Sequence, residues 1–214
     1  MTPTDPTYRT VASAVEAELE VKRSRFRCLL SPVADEVAAR AVIEQRRREF
    51  WDARHHCTAF VLGEGGEVER SSDDGEPAGT AGAPMLEALR GAEATYVLAV
   101  VTRWFGGTLL GTGGLVRAYG DAVREGLAAA RWRTMQLVQE LVVTIEPAVA
   151  GRVEAELRQR GVAVLDTRWG VGQVELELGV VPSERPRMVE EVAAMTAGAA
   201  DVRVSGERWV ASSG

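Results

Sequence analysis

The sequence predicts an α+β protein of two domains. Three observations carry this expectation. The chain has 214 residues, long for one compact domain and comfortable for two. Its 46% hydrophobic and 26% charged content is that of ordinary folded protein, which argues against disorder and fibrous classes. Its last third reads as β-α-β-β-α-β, the ferredoxin-like order.

Taken in order, "YRTVASAVEAELEV" and "SRFRCLLSPV" read as two extended segments and neighbouring strands, divided by the charged step Lys22-Arg23. "ADEVAARAVIEQRRREFW" spaces Val37, Ala41, Ile43 or Glu44, and Phe50 at roughly a helical period. Asp35 and Glu36 at its start and Arg46, Arg47 and Arg48 near its end complement the macrodipole. "HHCTAFVLG" is a strand rich in β-branched and aromatic residues, and "EGGEVERSSDDGEPAGTAG" a glycine-laden hairpin and loop. "TAGAPMLEALRG" predicts a short helix that Thr80 can cap and Gly91 ends. "ATYVLAVVTRWF" is an unbroken apolar run, as in a strand covered on both faces. Glycines follow, then a helix from Gly113 to Trp132 with Val116, Tyr119, Gly120, Val123, Leu127 and Ala130 on one face.

From there "QELVVTIEP", "AVAGRVEAELRQRG", "VAVLDTRWG", "QVELELGVVP", "SERPRMVEEVAAMTAG" and "ADVRVSGERWV" supply the ferredoxin-like series. Pro147 and Pro186 stand near the helix starts, with Gly161 and Gly198 near the ends. The expected domains are 1–134 and 135–214.

The net charge of −6 excludes a surface that is basic throughout, while leaving room for a local basic patch. Residues 1–134 are the less acidic part, so a polyanion site belongs there. Lys22 is the one lysine, and nearly all the positive charge is guanidinium, suited to bidentate contacts with phosphate or carboxylate. No apolar run is long enough to span a membrane, and the start "MTPTDPTYRT" lacks a secretory pattern, so a cytoplasmic protein with no membrane partner is expected. Cys28 and Cys57 lie in apolar runs and read as buried thiols.

Chemistry concentrates in three places. The loop Gly106, Gly107, Gly111, Gly113 and Gly114 joins a strand to a helix N-terminus, where backbone N–H groups favour an anion, and Arg103 and Arg117 flank it. Its spacing matches neither G-x-x-x-x-G-K-[ST] nor G-x-G-x-x-G. Either it cradles an anion, or its glycines serve turn geometry and the arginines pair with Asp73, Asp74 or Glu76. Those three carboxylates in "SSDDGEP" can hold Mg²⁺ or supply a general base, or they form a solvated turn. "HHC" at 55–57 has poor geometry for chelation, since alternation sends neighbours to opposite faces. No metal and no cofactor are expected.

"KRSRF" at 22–26, "HHCTAF" at 55–60, "SDDGEPAGTAGAP" at 72–84 and "VTRWFGGTLLGTGGLVRAYG" at 101–120 resemble the YigZ/IMPACT family. Within these blocks Lys22, Ser24, Arg25, Phe26, His55, Cys57, Asp73, Glu76, Arg103, Arg117 and Tyr119 match the family's pattern. Trp104 stands where the family usually has Tyr, and His56 where it often has Asn. The resemblance implies a first domain like the second domain of the fifth small-subunit ribosomal protein, also found as domain IV of elongation factor G. It implies a second domain like that factor's domain V.

That pairing of folds points to a non-catalytic, RNA- or ribosome-associated protein in translation or stress response. Eukaryotic members compete for the activator of a starvation-responsive kinase, a pathway that bacteria lack. Arg25, His55, Arg103 and Arg117, with the amides of Gly106–Gly114, are the expected phosphate contacts. Two alternatives are an enzyme acting on a small phosphorylated or peptide-like substrate through Asp73, Asp74 and Glu76, and a protein-interaction module with an exposed apolar patch.

Overall fold

A computed structural model describes residues 5–212 of the chain. The protein is α+β and divides into two compact units, one spanning Tyr8–Thr134 and the other holding the chain from Met135 onward with the short segment before Tyr8.

The elements of the first unit are β1 (Thr7–Val11), β2 (Val15–Val21), β3 (Ser24–Pro32), α1 (Glu36–Glu49), β4 (His55–Leu62), β5 (Val68–Ser72), α2 (Gly82–Gly91), β6 (Val97–Trp104) and α3 (Thr112–Ala129). Strands β2-β3-β6-β4-β5 form one antiparallel sheet in that order. The first extended segment of the sequence is therefore two strands. It breaks at Ala12–Ala14, where the Ala12 N–H donates to the Arg131 carbonyl, and only β2 joins the sheet. Lys22 and Arg23, with φ of 49° and 67°, make the tight β2–β3 turn, the left-handed pair that matches strand twist in a two-residue hairpin.

Period-two alternation sorts this sheet into two cores. Phe26, Cys28, Leu30, Cys57, Ala59, Val97, Ala99 and Val101 face α2 and α3, where Phe26 meets the ring of Tyr119 edge-on at 5.2 Å. Leu29, Phe60, Leu62, Leu98 and Val100 face α1. Helix α1 is capped by Asp35, whose carboxylate accepts from the Ala38 N–H at 2.7 Å. It turns Ala38, Ala39, Val42 and Ile43 inward; Val37, expected on that face, is 76% exposed. Helix α3 ends at Ala129, three residues before the expected end, because Trp132 already begins the next strand. Its buried stripe is Leu115, Ala118, Tyr119, Ala122, Val123 and Leu127, with Gly120 and Gly126, while Val116 faces outward.

The second unit contains β7 (Trp132–Ile145), α4 (Pro147–Gln159), β8 (Ala163–Trp169), β9 (Val174–Val180), α5 (Arg185–Met195) and β10 (Asp201–Ala211). Its strands run β10-β7-β9-β8, the spatial order of a ferredoxin-like sheet. The strict alternation of β9 puts Val174, Leu176, Leu178 and Val180 into a core with Leu141, Val143, Val153, Leu157 and Val192. Glu175 and Glu177 on the opposite face join Arg168 in a lattice of surface ion pairs.

Candidate functional site

Strand β6 carries Val97, Ala99 and Val101 to the α2/α3 face, and the same alternation delivers Arg103 to that side. Cross-strand register sets Arg103 opposite Phe26 and His55. Its side chain is 7% exposed, and Nη1 lies 2.6 Å from Oε1 of Glu76, whose own side chain is 4% exposed. The Tyr119 hydroxyl donates to the same carboxylate oxygen at 2.7 Å. Ser24 Oγ accepts from Arg103 Nη2 at 3.5 Å and from the Gly106 N–H at 3.1 Å, tying the β2–β3 turn to the glycine loop. Arg103 Nε has no acceptor. Of the two readings of these arginines, Arg103 follows the one in which it pairs with Glu76, while Arg117 stays exposed on α3 with no carboxylate in ion-pair distance among the described residues.

Three carboxylates within four positions go to three separate destinations. Asp73 accepts from the amides of Gly79, Ala81 and Gly82 at 2.8, 3.0 and 2.8 Å, and so caps the start of α2 from outside the helix. Thr80, expected as that cap, donates its hydroxyl to the Pro77 carbonyl. Burial opposes the charge on Asp73, but these three donors outweigh it and hold the carboxyl below its ordinary value. Asp74 pairs with Arg47 at 2.5 Å and accepts from the His56 N–H at 2.6 Å, while its carbonyl accepts from His55 Nδ1 at 2.9 Å. Glu76 is held by Arg103 and Tyr119. The three carboxylates therefore do not converge on one point. No group of three or more His, Cys, Asp or Glu side chains among the described residues is placed to hold a metal ion.

The "HHC" residues separate as alternation requires. His56 is buried with Nδ1 3.2 Å from the Thr102 hydroxyl, and burial, aided by Arg47, pushes its pKa down. Cys57 donates to the Asp73 carbonyl at 3.1 Å, and burial pushes its thiol up to about 12. Cys28 is likewise buried and pushed up to about 12, so neither thiol is ionised near neutrality.

The glycine loop has more than one cause. A Cβ on Gly106 would lie 2.0 Å from the Arg23 carbonyl carbon and 2.3 Å from the Ser24 nitrogen, so only glycine lets the turn and loop backbones touch. Gly107 and Gly111 need positive φ, at 83° and 72°. Gly113 has open space around it and no such φ, and α3 has Gly111 at its N-cap, without a side-chain cap.

Outside this network lies a set of free cations. Lys22, Arg23, Arg25, Arg54 and Arg117 are exposed, and none has a carboxylate within ion-pair distance among the described residues. Arg23 donates to the Thr108 hydroxyl at 3.4 Å, and Arg25 lies over the Trp104 ring at 4.1 Å. The second unit differs: among the described residues seven of its eight arginines are ion-paired, Arg185 being the exception. Trp104, Phe50 and Arg54 were not among the expected contacts, because their juxtaposition with Arg25 comes from cross-strand register and the end of α1.

No described helix is long and apolar enough to cross a membrane. The family model of the Impact N-terminal domain matches residues 22–127, and that of the domain of unknown function DUF1949 matches residues 143–199. The IMPACT family member YvyE of Bacillus subtilis is 38% identical over 196 residues, 92% of this chain and 90% of that protein. YigZ of Escherichia coli is 49% identical over 118 residues, which are 54% of this chain and 58% of YigZ. The IMPACT homolog of Dictyostelium discoideum is 37% identical over 110 residues, 50% of this chain and 30% of that protein. A crystal structure of a hypothetical protein superposes with a TM-score of 0.63 at 33% identity, covering 94% of this chain and 97% of the other. Similarity that runs nearly end to end with YvyE, over a first unit carrying the Impact N-terminal pattern, makes this chain a member of the IMPACT family.

Proposed function

We propose that the chain is a non-catalytic, RNA- or ribosome-associated protein of the cytoplasm that regulates translation or a stress response, with its contact surface on the first unit. The observation that carries this reading is the contrast in charge pairing. Seven of the eight arginines in the second unit are neutralised by neighbouring carboxylates, whereas Lys22, Arg23, Arg25, Arg54 and Arg117 are left without such partners among the described residues. Unpaired surface guanidinium groups are the chemistry that displaces counterions from a phosphate backbone, and they do so even on a chain of net charge −6.

Arg25 and Arg117 are the principal phosphate contacts in this reading. The exposed amides of the uncapped α3 start, around Gly111 and Gly113, add donors. His55 donates from Nδ1 to the Asp74 carbonyl, which leaves Nε2 as an acceptor for a donor on the ligand, such as a ribose hydroxyl or a base amine. Arg103 is a positioning residue, holding the acidic loop through Glu76 while Ser24 carries the link to the glycine loop.

Fluorescence anisotropy with labelled RNA, together with ribosome co-sedimentation, tests the reading. Arg25→Ala with Arg117→Ala is expected to weaken binding and to flatten the salt slope by about 0.7 for each lost contact with a single strand. Unchanged affinity and slope, or no binding to RNA or ribosomes at low salt, would overturn it.

A further inference from the structure

Helix α1 covers only part of its face of the first sheet, packing on Leu29, Phe60, Leu62, Leu98 and Val100. Past its C-terminus the same face continues as Arg25 and Arg27 of β3 beside Thr102 and Trp104 of β6, and register pairs Arg25 with Trp104 directly. The Arg25 guanidinium lies over the indole at 4.1 Å, and Phe50 meets the indole edge-on at 5.4 Å. Trp104 Nε1 donates to Asp52 at 2.9 Å, which fixes the plane of the ring. Trp51, the next residue after Phe50, is 83% exposed. Arg54 follows three residues on and has no carboxylate partner among the described residues. On the other side, Glu18 and Glu20 of β2 lie opposite Arg27 and Arg25 and bound the patch.

Planar groups held at the exposed end of this sheet face, with the unpaired guanidinium groups of Arg25 and Arg54 beside them, are matched to a ligand that offers both flat faces and phosphates. A duplex buries its base faces in the stack, so it can use only the cations. An unpaired strand can use both. We infer that this face binds a single-stranded segment of RNA, with one base stacked on the Arg25–Trp104 pair and the strand running toward Trp51 and Arg54, away from the acidic edge of β2. The inference rests on the RNA-binding reading above and adds to it the strandedness of the ligand and the residues that read it.

The test is anisotropy of the full chain with a labelled adenine-rich single-stranded RNA and with a duplex of equal length, each over a range of salt. The single strand is expected to bind at least tenfold more tightly than the duplex. Trp104→Leu is expected to cost tenfold or more on the single strand, to change duplex binding less than twofold and to leave the salt slope alone. Trp104→Tyr, which keeps an aromatic face, should stay within about threefold of the unaltered chain.

Because Trp104→Leu also removes the Asp52 hydrogen bond, Arg25→Lys provides a second probe at an exposed site. It keeps the charge and loses the plane, so single-strand affinity should fall by a larger factor than duplex affinity, which loses only the fork geometry of one phosphate contact. Equal binding of both RNAs, or single-strand binding unchanged in Trp104→Leu and Arg25→Lys, would overturn the stacking inference and leave RNA association standing. Failure of both RNAs to bind at low salt would overturn the broader reading as well.

Discussion

Glu76 is a carboxylate with almost no access to water, so its energetics depend on Arg103 and Tyr119. Desolvating two charges is costly, and their attraction at 2.6 Å offsets that cost only while both remain. Glu76→Ala strands the Arg103 guanidinium, which already has one buried nitrogen without an acceptor, and removes the acceptor of Tyr119. The expected loss is about 3–5 kcal/mol, read as a lower urea midpoint. Glu76→Gln keeps an acceptor and should cost less. Replacing both partners, as Glu76→Leu with Arg103→Met, should recover part of the loss, because no lone charge is left behind. A Glu76→Ala chain within about 1 kcal/mol of the original would show that water reaches the pair. The sequence offered this pairing as one of two readings, and nothing local could choose: the partners are 27 residues apart and meet only once the loop folds over β6.

At the scale of elements, α2 is held from a distance. No side chain at its own N-terminus caps it, and Asp73 does so through the amides of Ala81 and Gly82. Asp73→Asn is therefore expected to destabilise the chain by about 1–2 kcal/mol near neutrality. The sign of the pH dependence follows from the depressed carboxyl. Its contribution is present above the ordinary value of 3.8 and is lost as pH falls through the lower value it has in the folded chain. The gap between Asp73→Asn and the original chain should thus close in acid, as followed by urea unfolding at a series of pH values. A gap that stays constant with pH would mean that the charge on Asp73 contributes nothing.

The element pattern was largely legible because strands and helices write their own periods into the chain. The ferredoxin-like order followed from β9, α5 and their neighbours alone. What escaped were non-local features: the cap supplied from Asp73, the break after β1, and the touch between Gly106 and Arg23 that requires a residue without Cβ. The Arg25–Trp104 stack escaped for the same reason, since each residue looks ordinary until β3 and β6 lie side by side.

For the molecule as a whole, the net charge of −6 conceals an uneven distribution of free charge. A protein with this charge spread evenly would pass through a polyanion column at about pH 7.5, because the mean field repels it. Ion pairing instead removes most cations of the second unit from play and leaves many of the first unit's available, those around β3, β4 and α3 among them. Retention on heparin at low salt is accordingly expected, with elution as salt screens the contacts. Arg54→Ala and Arg25→Ala should each elute at lower salt than the original chain. Arg185→Ala, which removes the free arginine of the second unit, should elute unchanged, so the comparison separates a local patch from overall charge. If all three variants shift alike, net charge governs retention and the first unit has no patch of its own. If only the variants of the first unit shift, the acidic chain carries its polyanion surface where the unpaired guanidinium groups lie.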